Sequence, residues 1–191
     1  CPSNAADAPA MLRECVRMAH EDGRVVVFVE PIALYHTVDL SAPEDGQWTA
    51  HYVVPGDADE IAFGELGLHG NGTQLAIITY GNGYYLSRQA EAEIRASGID
   101  LRIIDLRWLH PLNDRAIVEA VADCRKILIV DESRRSGSLS EKLMTLLTEA
   151  GRGDAVSRIT AEDCFIPLGP AAELVLPSKT SIIEAALQAV R

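Results

Sequence analysis

Asp131 and Glu132 stand side by side at the end of the apolar run Ile127-Leu128-Ile129-Val130. Two adjacent carboxyls can divide acid and base duties, and in open α/β sheets ligands gather at the carboxyl ends of strands. The pair is the best site candidate that residue types alone provide. A structural role competes and is the expected one: the carboxylates can cap the loop 133–138 and pair with Arg134 or Arg135, because neither a His nor a second acidic cluster follows. Gly81-Asn82-Gly83 lies where a strand turns into a helix and could hold a phosphate on helix N–H groups. Its spacing matches neither GxGxxG nor a Walker loop, so a tight turn needing positive φ is the plainer expectation. Asp105 and Arg107 alternate in direction at the end of their strand and read as a structural ion pair. His110, in the loop that follows, could reach a ligand, but a surface or hydrogen-bonded role is expected. The histidines at 20, 36, 51, 69 and 110 share no metal-ligand interval, and Ser136 and Ser138 lack a GxSxG context. From these residues alone no reaction is disclosed.

The elements that must position these groups alternate regularly. Leu75–Tyr80, Leu101–Leu106, Ile127–Val130 and Ala155–Thr160 read as strands. Between them a helix carries Leu86, Ala90 and Ile94 with Gly98 as its stop, and another spans 114–124 from an Asn113 cap. Ser138 and Glu141 have capping-box spacing at the head of a helix 139–150, and a last helix covers 181–190 after an irregular stretch 167–177. Such alternation predicts a three-layer α/β/α domain with a mostly parallel sheet over 73–191. Ahead of it, residues 5–21 read as a helix with Asp7 at its start. Val25–Glu30 reads as a strand of the kind that is buried on both faces. Residues 36–72, with Pro43, Pro55, Gly46, Gly56 and the acids Asp57, Asp59 and Glu60, read as a linker over the surface. Ile61-Ala62-Phe63 is its candidate edge strand.

Composition narrows the partners. In 191 residues, 48% are hydrophobic and 24% charged, which suits a soluble globular chain with a full core. A net charge of −11 disfavours nucleic acid and anionic membrane surfaces. No apolar run approaches the ~20 residues of a membrane span, and no secretory leader is apparent, so a cytoplasmic location is expected. The start at Cys1 without Met suggests a fragment. The four cysteines are scattered, and Cys15 and Cys124, on apolar helix sides, are expected as buried free thiols rather than disulfide partners.

Several ordered blocks carry a resemblance. Pro2-Ser3-Asn4 with Asp7-Ala8, Val27-Phe28-Val29-Glu30-Pro31 with Leu34-Tyr35, Tyr80-Gly81, Asp105-Leu106-Arg107 followed by Pro111-Leu112-Asn113, Val130-Asp131-Glu132 with Gly137 and Glu141, then Ile166-Pro167 and Leu176-Pro177 recur in order. Together they resemble the C-terminal domain of the transketolase superfamily, most closely the β part of 2-oxoacid dehydrogenase E1 components. Asp131 stands where that family often has His, Gly137-Ser138-Leu139 where it has Gly-Gly-Phe, and Asn113 where it has Asp. The longer helix 5–21 and linker 38–58 look more like the β half of a fused, single-chain E1.

The resemblance implies that residues 1–35 are the last helix and strand of a pyrimidine-binding domain, 36–72 a linker, and 73–191 the C-terminal domain. It implies thiamine diphosphate and Mg²⁺ in the intact enzyme, held by upstream E1 domains or an α part, with no catalytic, cofactor or metal residue in this chain. It further implies a homodimer and docking of the small basic domain of the acyltransferase (E2), for which Glu141, Glu149 and Asp154 are the candidate acids. Related β subunits hold a structural K⁺ at the end of the first helix. The Asn that ligates it aligns with Arg24, whose guanidinium is expected to replace the ion by donating to carbonyls of residues 20–22, unless Arg24 is merely exposed. Two other functions stay open: a stand-alone non-catalytic interaction module, and a fragment of another transketolase-type enzyme. The unpartnered strand Val25–Glu30 favours the dehydrogenase reading over the module.

Overall fold

β2 (Leu75–Thr79) lies at the centre of a five-stranded sheet and is buried along its whole length. The computed structural model describes residues 1–52, 54 and 60–191. In chain order the elements are α1 (Asp7–Glu21), β1 (Gly67–His69), β2, α2 (Asn82–Ala96), β3 (Leu101–Asp105), α3 (Asp114–Ala120), β4 (Lys126–Arg134), α4 (Leu139–Glu149), β5 (Val156–Ala161) and α5 (Lys179–Val190). The sheet order is β1-β3-β2-β4-β5, with β1 antiparallel to β3 and every other pair parallel.

Unbroken apolar runs fill both faces because successive side chains alternate across a strand. Leu75, Ile77, Leu101, Ile103, Leu128 and Val130 face one way, against Ala90 and Ile94 of α2 and Ile182 and Ala186 of α5. Ala76, Ile78, Ile104, Ile127 and Ile129 face the other way, against Ile117 of α3 and Leu143 and Leu147 of α4. The result is the expected three-layer α/β/α arrangement. Ser178 and Ser181 form a reciprocal capping box at the head of α5, and the Asn113 side chain accepts from Ala116 N–H at the head of α3. Cys15 and Cys124 are buried free thiols.

The structure departs from the sequence reading in five local places. The edge strand is Gly67–His69, not Ile61-Ala62-Phe63: Ile61 is buried beside Trp108, and Phe63 stacks edge-on against that ring at 5.2 Å. The sheet therefore takes in residues inside the stretch read as linker. Residues 38–48 of that stretch form an ordered loop, in which Asp45 accepts from the N–H groups of Leu40, Ser41, Ala42 and Gln47. Leu40 and Trp48 join the core beside Tyr84 and Tyr85. Pro55, Gly56, Asp57 and Asp59 lie outside the described residues. At α1 it is Asn4 Oδ1 that accepts the first N–H groups, of Ala6 and Asp7, because the Asp7 carboxylate is engaged elsewhere. At α4, Glu141 reaches Gly137 N–H at 3.0 Å, while the Ser138 hydroxyl meets that of Ser140, so the capping box does not close. Finally, Val25–Glu30 is extended but enters no ladder, and no described strand lies beside it.

Candidate functional site

The carboxyl ends of β2, β3 and β4 lie together, and two polar clusters occupy them. In the first, Asp105 ends β3 and is buried. Its Oδ1 accepts the Ser3 hydroxyl at 2.8 Å and the Arg107 N–H at 3.3 Å, and Ser3 Oγ in turn accepts Gly81 N–H at 2.7 Å. Asp105 Oδ2 is buried without a partner. Desolvation pushes this carboxyl up to about 7, against the opposing hydrogen bonds from Ser3 and Arg107. The Arg107 guanidinium does not pair with Asp105. It forks onto Asp7 at 2.7 and 3.0 Å and reaches Glu65 at 3.3 Å. The expected Asp105–Arg107 ion pair is thus replaced by an Asp7–Arg107 pair across the chain: the planar fork matches a carboxylate that α1 presents to it.

In the second cluster Asp131 is buried near the end of β4, with both carboxyl oxygens engaged. Oδ1 accepts Tyr80 O–H at 2.7 Å and Ser133 N–H at 2.9 Å, and Oδ2 accepts Ser140 N–H at 2.9 Å in the first turn of α4. Glu132 accepts the Asn82 amide at 2.5 Å, and burial raises its pKa. Burial, then the bond to Asp131, raises the Tyr80 phenol. Asp131 does cap the loop, at Ser133 N–H, but Glu132 is held by Asn82 of α2 instead, and the expected pairing with Arg134 or Arg135 is not formed among the described residues. Arg134 donates to Ser136 O, and Arg135 supplies a carbonyl to Arg158.

The glycine turn is explained by geometry. Gly81 has φ +56°, and a Cβ on Gly83 would lie 2.4 Å from Thr79 Oγ1, so α2 can start this close to β2 only without one. Gly81 N–H is already given to Ser3, which removes one of the donors a phosphate would use. His110 is exposed and lines two cavities of about 550 and 540 Å³, the first with Met11, Met18, Val27 and Trp108, the second with Gly137, Ser138 and Lys142. Arg24 takes neither expected form in full. Its guanidinium lies 5.1 Å over the Phe63 ring, and it is its backbone N–H that reaches the helix-end carbonyl of Met18. Glu141, Glu149 and Asp154 are exposed, but Glu141 is in the first turn of α4 and Glu149 in the last, about 12 Å apart along the axis. They do not form one acidic cluster at one helix end.

These groups do not fit a magnesium diphosphate. The buried carboxylates are committed to protein donors or stand alone, and among the described residues no three His, Cys, Asp or Glu side chains converge on a metal position. What the clusters can do is hold segments. Ser3 and Asp7, which sequence reasoning passed over as site residues, join the first ten residues to β3. Their only signal was the Pro2-Ser3-Asn4, Asp7-Ala8 block itself.

Residues 64–182 match the family model of the transketolase C-terminal domain. The chain is 27% identical over 191 residues to the 2-oxoisovalerate dehydrogenase subunit beta of Bacillus subtilis, covering 98% of this chain and 54% of that protein. It is 27% identical over 188 residues to the pyruvate dehydrogenase E1 component subunit beta of the same organism, covering 97% and 53%. It therefore spans about half the length of the curated relatives it matches. A solved split-gene transketolase, described as an inactive beta4 tetramer, shares the fold with a TM-score of 0.61 at 21% identity, over 68% of this chain and 44% of that one. No helix among the described residues is long and apolar enough to cross a membrane. With the family model matching residues 64–182, more than half of it, the chain belongs to the transketolase C-terminal domain family.

Proposed function

We propose that the chain is the C-terminal part of a thiamine-diphosphate-dependent 2-oxoacid dehydrogenase, of the E1 β kind. Residues 1–35 then complete a pyrimidine-binding domain, and the cofactor, its Mg²⁺ and the catalytic groups belong to upstream domains or an α part. The C-terminal domain supports dimerisation and docks the acyltransferase. The observation that carries this reading is the segment Val25–Glu30. Val26 and Phe28 pack inward against Met11, Cys15, Met18 and Trp108, while Val25 and Val27 are 97% and 81% exposed. Alternating exposure, one face packed and, among the described residues, no strand paired with it fit a strand separated from its sheet. A self-contained interaction module would have no use for it.

Calorimetric titration of residues 1–191 with thiamine diphosphate and Mg²⁺, beside a decarboxylation assay with pyruvate and branched-chain 2-oxoacids, tests the division of labour. The expected outcome is no binding and no turnover by this chain, and both on its reunion with the cofactor-bearing domains. Micromolar cofactor binding by the chain alone would overturn the proposal. A reunited enzyme that gained nothing from it would favour the stand-alone module.

A further inference from the structure

Ser3 is one of the points at which the N-terminal segment is fastened to the sheet, beside the Asp7–Arg107 pair. Through one buried hydroxyl it joins the end of β3, at Asp105, to the end of β2, at Gly81. Asp105 receives two donors on Oδ1 and none on Oδ2, and on β2 its register neighbour Thr79 also has a buried oxygen without a partner. An ionised Asp105 would leave part of its charge without donors in a water-free place. Among the described residues the nearest cationic groups are the Arg107 guanidinium and the Cys1 ammonium, and neither donates to Oδ2. On its own strand end, the Arg107 guanidinium serves Asp7 of α1 and Glu65 of the loop before β1, so two other carboxylates already share it. Arg107 also has φ 55°, held by its N–H to Asp105 and its carbonyl, which accepts from the Cys1 nitrogen at 2.8 Å. The remaining titratable groups are no better placed. Burial pushes the Cys1 ammonium towards its neutral form, and it keeps Tyr84 of α2 protonated.

We propose that Ser3, Asp105 and Gly81 form a proton-operated latch, closed when Asp105 is a carboxylic acid and weakened when it ionises, which sets how firmly residues 1–31 are held against the sheet. The device lies wholly within this chain and stands whether or not the dehydrogenase reading does.

Its sign follows from linkage. Asp105 releases its proton at about 7 when docked, against 3.8 for a free aspartate. The proton-linked part of docking is complete below pH 3.8 and is lost as pH rises through 7. With these two values the docking constant falls about tenfold between pH 6 and 8 and changes little above that. Hydrogen exchange of the Gly81 amide, corrected for the intrinsic rate, reads the latch directly on residues 1–191. Its protection should fall about tenfold from pH 6 to 8 in the wild type and stay level in Asp105→Asn, which keeps the shape but cannot ionise. A carbon-13 titration of the Asp105 carboxyl in the wild type needs no variant, and should show a midpoint near 7 shared by the Gly81 amide shift. Level Gly81 protection in the wild type, the same tenfold fall in Asp105→Asn, or a carboxyl midpoint near the ordinary aspartate value would each overturn the latch.

Discussion

At the scale of single residues, Arg107 does more than any other side chain to unite the two parts of the chain. It was singled out in sequence beside Asp105, two positions away and in the same strand end. Its partner proved to be Asp7, a hundred positions earlier. Separation of that kind is invisible to spacing arguments, because a local pattern cannot say which distant helix will present a carboxylate. Both side chains of the pair are nearly buried, at 14% and 11% exposure, so each desolvates the other and the bidentate geometry has to compensate. Removing one partner leaves a charge with no water to turn to. Arg107→Ala is expected to lower unfolding stability by about 3 kcal/mol, with Arg107→Lys intermediate because an ammonium keeps the charge but not the fork. Urea denaturation of the three proteins measures it. A loss under about 1 kcal/mol for Arg107→Ala would place the pair with ordinary surface bridges instead.

At the scale of elements, the regular part of the fold was legible because each strand from Leu75 onward is followed by a helix, the first three strands are rich in apolar residues, and Gly98 and Gly151 mark where two of the helices stop. Ile77 and Ile78 face opposite helical layers, and no other arrangement hides both. Less legible were β1 and Val25–Glu30. Gly67-Leu68-His69 has neither length nor alternation to mark it; it is a strand only because β3 offers an edge. Val25–Glu30 has the apolar run of a buried strand, yet among the described residues it enters no ladder. The caps show the same lesson more finely. Ser138 and Glu141 have the right spacing, but Asp131 arrives from β4 to take Ser140 N–H, so tertiary structure caps the helix instead. If the outer face of Val25–Glu30 serves association and not the stability of this domain, Val27→Glu should leave the unfolding free energy within about 0.5 kcal/mol of wild type while reducing self-association. A large loss of stability with no change in sedimentation would show that Val27 is part of the domain's own core.

At the scale of the whole molecule, two surfaces of opposite chemistry coexist, and salt should act on them in opposite directions. Apolar side chains stand almost fully exposed at Val25, Val27, Phe165 and Leu168, and burying them against a second copy draws on the hydrophobic effect. Each copy carries a formal charge of −11, so that association works against mutual repulsion. Raising salt shortens the reach of charge from about 10 Å at 0.1 M to about 3 Å at 1 M. Self-association should therefore tighten as salt rises. If a small basic domain docks on the acids Glu141, Glu149 and Asp154, its attraction to them is screened by the same salt, so that docking should loosen. The spread of those acids over the length of α4 and beyond makes the attraction diffuse, a field rather than a pair of contacts, which increases its sensitivity to screening. Sedimentation velocity for the dimer and calorimetry with the acyltransferase domain, each at 0.05 and 0.5 M NaCl, should give constants that move apart by about tenfold or more in opposite senses. Two constants moving together would mean that a single surface serves both, and docking unchanged by salt would remove the acidic face from the proposal.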